Sequence, residues 1–196
     1  MIYLIRHGQT QFNLERRYQG ACDSPLTDLG RAQARAYGLT LAGLAPPGCP
    51  IVSSPLGRAH DTARRLREAG GFTAPIALDA RLAEISMGAW DGLLLSEIEA
   101  LRPGFDTERP PPDWYMRSPD GETYEVFAAR LGDWLNSERD RAGPLIVVTH
   151  GVAGRVIRGL YAGLSKYEAL TLPVPQDALY RLSGGVIERI DVRAAA

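Results

Sequence analysis

The chain has 196 residues, with 22 basic and 23 acidic side chains and a formal net charge of -1, so no basic excess marks it as a partner of nucleic acid or of a membrane surface. This length is enough for one domain to bury its own core without disulfide or metal staples, and residues 1–196 read as a single domain. Cys22 and Cys49 lie in no CxxC or Cys/His pattern, which predicts free thiols in a reducing compartment. No apolar stretch approaches the roughly 20 residues that span a bilayer, and the first apolar run begins at residue 2, leaving no place for a cleavable signal. The expected location is the cytoplasm.

The first predicted element is a strand, Ile2-Tyr3-Leu4-Ile5-Arg6, which runs into His7-Gly8. Its unalternated apolar run suits a strand buried on both faces of a parallel sheet. A polar loop follows over residues 8 to 26. Thr27 is the candidate N-cap of a helix whose buried stripe is Leu29, Ala32, Ala36 and Leu39, ended by Gly43 and Pro46-Pro47-Gly48. Residues 50 to 53 read as a strand, and Ser54-Pro55 as the cap and first position of a second helix carrying Leu56, Ala59, Ala63 and Leu66 inward. A short strand at residues 75 to 79 and a short helix at 93 to 101 flank a glycine-rich stretch, 82 to 92, that takes no assignment. Residues 103 to 121 hold five prolines and no periodicity, the mark of a lid or binding loop.

Tyr124, Phe127, Leu131, Trp134 and Leu135 predict an amphipathic helix reaching about residue 141. The run Leu145-Ile146-Val147-Val148-Thr149 then ends in His150-Gly151 and opens a helix with Val152, Val156, Ile157 and Leu160 inward. Residues 179 to 182 and 186 to 192 flank Gly184-Gly185 as a hairpin, whose outer edge offers pairing to a second subunit in a homodimer. Strands alternating with helices predict an α/β three-layer sandwich: a mostly parallel sheet flanked by helices, with antiparallel strands added near the end.

Ligands of parallel sheets bind beyond the carboxyl ends of the strands, and two strands here end in His-Gly, so His7 and His150 are expected to meet there. Arg6-His7-Gly8 sets a guanidinium beside an imidazole, with Gly8 giving a ligand close access to the backbone. Arg58 falls in the first turn of a helix, where the dipole disfavours a cation unless an anion such as phosphate binds with it. His150-Gly151 supplies an imidazole and unpaired N–H groups at a helix start. Each feature alone has a plain structural reading, a core histidine or a solvated arginine. His60 has no comparable setting and is read as structural. His7 and His150 lack further ligands at zinc spacing, so no metal site is expected.

Taken in order, Arg6-His7-Gly8-Gln9-Thr10 with Asn13, Ser53-Ser54-Pro55 with Arg58 and Thr62-Ala63, the 82 to 92 stretch with Glu84, Gly88, Trp90 and Gly92, and Thr149-His150-Gly151 resemble the histidine phosphatase superfamily. The likeness is to its phosphoglycerate mutase-like group and covers residues 2 to about 160. Gln19-Gly20, residues 23 to 27 and Gly121-Glu122-Thr123 resemble its phosphatase members. The resemblance implies a phosphoglycerate mutase-like fold and a metal-independent phosphomonoesterase without a cofactor, acting on a small phosphorylated metabolite through a phosphohistidine.

By that resemblance His7 is the nucleophile, and Arg6, Arg58 and His150 neutralise the equatorial phosphate oxygens. Gly8, Thr10, Asn13, Gln19, Gly20 and Gly151 serve the substrate or its phosphate. Glu84 protonates the leaving alkoxide and then deprotonates water, which requires it to hold a proton when substrate arrives. The family's mutases carry a basic and aromatic stretch after this glutamate and an asparagine after the second His-Gly. Ile85-Ser86-Met87 and Val152-Ala153 stand there instead, and the chain is short for a mutase, so hydrolysis is favoured over mutase-type transfer. A catalytically idle phospholigand-binding module is the other alternative. In the proline-rich loop, Arg109, Trp114, Tyr115 and Met116 are candidates for a substrate wall, with Asp106 and Glu108 next in line as proton donors.

Overall fold

The computed structural model describes residues 1–102 and 111–192. Six strands form one sheet: β1 (Ile2–Arg6), β2 (Ile51–Ser53), β3 (Ile76–Leu78), β4 (Leu145–Thr149), β5 (Ala178–Ser183) and β6 (Val186–Asp191), in the order β3-β2-β4-β1-β5-β6. The first four run parallel, while β5 is antiparallel to β1 and β6 to β5. β1 and β4 pair from Ile2↔Leu145 to Arg6↔Thr149. Because that register is even, the next residue of each strand, His7 and His150, leaves the sheet at the same level.

Among the described residues the helices are α1 (Gln11–Glu15), α2 (Asp28–Ala42), α3 (Gly57–Ala69), α4 (Leu95–Leu101), α5 (Tyr124–Ser137), α6 (Gly151–Ala162) and α7 (Lys166–Thr171). α2 and α3 cover one face of the sheet, where Tyr37, Leu41 and Leu66 pack on Tyr3, Ile5 and Val148. α5 and α6 cover the other, where Phe127, Trp134 and Ile157 pack on Leu4 and Val147. β4 is buried along its whole length, as its continuous apolar run requires. None of these helices is long and apolar enough to cross a membrane.

Several local expectations differ from what forms. The 8 to 26 loop contains α1, capped by Thr10 and Asn13 in a reciprocal capping box. Leu29 and Leu39 of α2 are 49% and 57% exposed, and Ala36 is joined on the buried face by Gly30, Ala34, Tyr37, Gly38 and Leu41. A Cβ at Gly38 would stand 2.2 Å from the Leu66 carbonyl oxygen, so α2 and α3 touch backbone to backbone and the contact selects small residues over leucines. α3 starts at Gly57 with Leu56 at its N-cap; Ser54 does not cap it, and its Oγ accepts from Leu56 N and faces His150. Val152 is only half-buried and Leu160 is 39% exposed on α6. α5 ends at Ser137, short of residue 141, and α7 had no predicted counterpart. Residues 82 to 92 are held by two 3-10 turns, Ala80–Leu82 and Gly88–Trp90, and Trp114–Arg117 forms a third.

Candidate active site

A cavity of about 510 Å³ opens at the carboxyl ends of the parallel strands, lined by Arg6 and His7 from β1 and its end, Arg58 from α3, Gly151 and Arg155 from α6, and Glu84. The His7 and His150 ring centroids are 5.2 Å apart. His7 Nδ1 lies 2.7 Å from its neighbour's carbonyl, Gly8 O. A carbonyl only accepts, so Nδ1 carries the proton and the lone pair of a neutral ring sits on Nε2. Burial, then Arg58 and Arg6, push this imidazole well below its ordinary pKa, keeping it neutral.

Arg58 is 2% exposed, and four bonds to the protein leave one Nη2–H of its five donors uncommitted. Its Nη2 donates to Gly20 O (2.8 Å), its Nη1 to Cys22 O (2.5 Å) and Asp23 Oδ1 (3.3 Å), and its Nε to His150 Nδ1 (3.2 Å). That last bond fixes the tautomer of His150: Nδ1 accepts, and Nε2 donates to Ser54 Oγ at 2.7 Å. Burial, then Arg58 and His7, hold this second imidazole well below its ordinary pKa as well. Arg6 gives Nη1 to Val174 O (2.6 Å), while its buried Nε has no partner.

Glu84 follows a turn that is clamped from two sides. Thr149 Oγ1 donates to Leu82 O at 2.7 Å, and Arg130, paired with Glu122 at 2.7 Å, donates to Arg81 O, Ala83 O and Glu84 O. The carboxylate thereby reaches the N-terminus of α6, where Oε2 accepts from Val152 N and Oε1 from Ala153 N, both at 3.0 Å. Oε1 takes a second bond from Ile85 N at 3.2 Å, leaving Oε2 with a single backbone donor. Arg130 and Glu122 belong to this scaffold rather than to the cavity; the Gly121-Glu122-Thr123 motif pointed to Glu122 alone.

Of the eleven expected site residues, Arg6, His7, Asn13, Gln19, Gly20, Arg58, Glu84 and Gly151 line the cavity, whereas Gly8, Thr10 and His150 do not. The Gly8 backbone is approached by α2: a Cβ there would stand 2.3 Å from Gly30 O. Thr10 is fully buried, its Oγ1 accepting from Asn13 N as a helix cap. His150 stands beside Arg58 with both ring nitrogens bonded, Nδ1 accepting from Arg58 Nε and Nε2 donating to Ser54 Oγ. Trp114 and Tyr115 line the cavity but Met116 does not; Arg109, Asp106 and Glu108 lie outside the described residues. Arg155, Val174 and the rim arginines Arg16 and Arg17 line it without having been expected.

Sheet order, the paired His-Gly strand ends and the buried arginines define a phosphoglycerate mutase-like α/β protein. The chain belongs to the histidine phosphatase superfamily (branch 1), whose sequence profile matches residues 2–185. It is 36% identical over 184 residues to glucosyl-3-phosphoglycerate phosphatase of Mycobacterium tuberculosis, covering 88% of this chain and 76% of that one. A probable phosphoglycerate mutase GpmB of Salmonella arizonae is 33% identical over 192 residues, 97% of this chain and 84% of its own. Among solved structures, Bacillus stearothermophilus YhfR superposes with a TM-score of 0.80 at 32% identity, covering 100% of this chain and 96% of its own. Mycobacterial glucosyl-3-phosphoglycerate phosphatase with VO3 does so with a TM-score of 0.75 at 30% identity, covering 100% and 99%.

Proposed function

We propose that the protein is a metal-independent phosphomonoesterase, a single histidine phosphatase domain acting on a small phosphorylated metabolite through a phosphohistidine on His7. The observation that carries this reading is the state of the His7 ring: Nδ1 is committed to Gly8 O, Nε2 has no hydrogen-bond partner among the described residues, and burial with Arg58 and Arg6 keeps the ring neutral. A neutral, oriented imidazole beside two fixed guanidinium groups is a nucleophile facing an anion-binding wall.

The Nε2 lone pair forms the N–P bond as the P–O ester bond breaks, and the departing alkoxide takes the proton of Glu84. Water then attacks phosphorus, its proton returns to Glu84, and the N–P electron pair goes back to Nε2 as phosphate leaves. Arg6 and Arg58 meet the equatorial oxygens, with His150 holding Arg58. Asn13, Gln19 and the Gly151 N–H add donors. Ile85, Met87, Trp114, Tyr115 and Val152 form an apolar wall that suits an organic substituent.

Two relatives bear different names, phosphatase and probable mutase. Both chemistries share the first transfer and differ in whether water or a second hydroxyl receives the phosphoryl group. Ile85-Ser86-Met87 and Val152-Ala153 in place of the mutase groups favour water. The test is a panel of phosphorylated metabolites assayed for both free phosphate and isomer. Phosphate release without isomer is expected; isomer formed at the faster rate would replace hydrolysis by transfer, and binding without turnover would make the chain a phospholigand-binding module.

A further inference from the structure

Residues 172 to 176, Leu172-Pro173-Val174-Pro175-Gln176, link α7 to β5. Pro173 and Pro175 lack backbone donors and push Leu172 and Val174 into extended backbone, as the ψ of 144° at Leu172 shows. An extended run outside the sheet leaves its carbonyls open, and three arginines take them in turn. Arg155 Nε donates to Leu172 O at 2.5 Å, Arg158 Nη2 to Pro173 O at 2.5 Å and Arg6 Nη1 to Val174 O at 2.6 Å. The segment is thus strapped across the edge of the cavity, which Val174 lines.

Gln176 ends the strap beside the nucleophile. Its Nε2 lies 3.0 Å from the His7 carbonyl oxygen and 3.4 Å from Asn13 Oδ1. Asn13 Oδ1 also accepts from Thr10 N at 3.2 Å. Both donors fix which end of the Asn13 amide is oxygen, and its nitrogen is left as a free donor on a residue that lines the cavity. The χ2 rotor of asparagine is broadly two-fold, and the flipped amide would present oxygen to phosphate oxygens.

We infer that Gln176 is a positioning residue of the phosphate pocket, clamping Asn13 to the His7 backbone so that the Asn13 amide meets phosphate with its donor end. The inference rests on the phosphatase reading above and adds to it a residue that touches neither phosphate nor substrate. The strap also holds Arg6, whose Nη1 donates to Val174 O.

A double-mutant cycle on p-nitrophenyl phosphate tests it. Asn13→Ala should lower kcat/KM by about 10- to 100-fold, the size of a hydrogen bond to a charged group. Gln176→Met keeps length and packing but donates nothing, and should lose about 10-fold in kcat/KM while remaining folded at the assay temperature, its Tm lowered by the unpaired His7 carbonyl. In the Asn13→Ala background the same change should cost less than about threefold, because its partner is gone. Independent, multiplying losses in an active enzyme, or full activity of Gln176→Met, overturn the inference and leave the phosphatase reading standing. A wild-type protein that neither hydrolyses p-nitrophenyl phosphate nor binds inorganic phosphate removes that reading, and this inference with it.

Discussion

Keeping His7 and His150 neutral inside the fold has a measurable consequence in acid. Burial, then Arg58 and Arg6, depress His7, and burial, then Arg58 and His7, depress His150. In the unfolded chain both titrate near pH 6.5 (about the free value). Below that pH the unfolded state gains two protons that the folded state refuses, so stability falls as pH drops through 6.5 and keeps falling toward the folded pKa values, with a slope of about 1.4 kcal/mol per pH unit per histidine. Between about pH 7.0 and 5.5 this amounts to about 1.2 kcal/mol per histidine, or about 2.5 kcal/mol for the pair.

Urea denaturation at the two pH values, followed by tryptophan fluorescence in phosphate-free buffer, reads the loss directly, since a bound anion would otherwise stabilise the folded state. His7→Asn keeps a donor for Gly8 O and His150→Gln keeps one for Ser54, so each variant removes one titrating group while retaining a hydrogen bond. Carboxylates contribute equally to all three proteins and cancel. Each variant should show a fall in stability about 1.2 kcal/mol smaller than the wild type. An undiminished fall in both variants would mean that the folded protein binds those protons, and would refute the neutral nucleophile.

Quenching a reaction with labelled substrate under non-acidic conditions should trap an acid-labile phosphoryl group, absent from His7→Ala; label persisting in that variant would reassign the nucleophile. Glu84→Gln should slow phosphorylation by alkyl phosphates about 10²- to 10⁴-fold in single turnover, and by p-nitrophenyl phosphate much less, because an acidic phenol leaves without a donated proton. Equal losses would move the proton donor to another carboxylate, such as Asp106 or Glu108. Exhaustive chelation should leave turnover intact, since Arg6 and Arg58 meet the phosphate charge; a loss restored by zinc or magnesium would place the protein in a different mechanistic class.

The alternation of apolar strand runs and helical stripes, the two His-Gly strand ends, and the glycine and proline punctuation are local signals, and they sufficed for the sheet class and for Arg6, His7, Arg58 and Gly151, whereas Asn13, Gln19, Gly20 and Glu84 were expected from the family resemblance. Side-chain period told which residues were apolar, but not which helix face met which neighbour. α2 buries Gly38 against the α3 backbone and Gly30 against the backbone of Gln9, and exposes Leu29 and Leu39, because these contacts are set by how closely two backbones approach. Roles within the motifs were also decided in three dimensions. Thr10 caps a helix, Gly8 admits Gly30, and His150 pairs with Arg58 because its ring nitrogens fall between Arg58 and Ser54, residues about a hundred positions away in the chain. The scaffold of Arg130 on the Glu84 turn and the Gln176 strap beside His7 left still less trace, since a hydrogen bond from a side chain to a distant carbonyl imposes no pattern on neighbouring residues. The sequence specifies the chemical groups; their donors, acceptors and charge states exist only once the chain has brought them together.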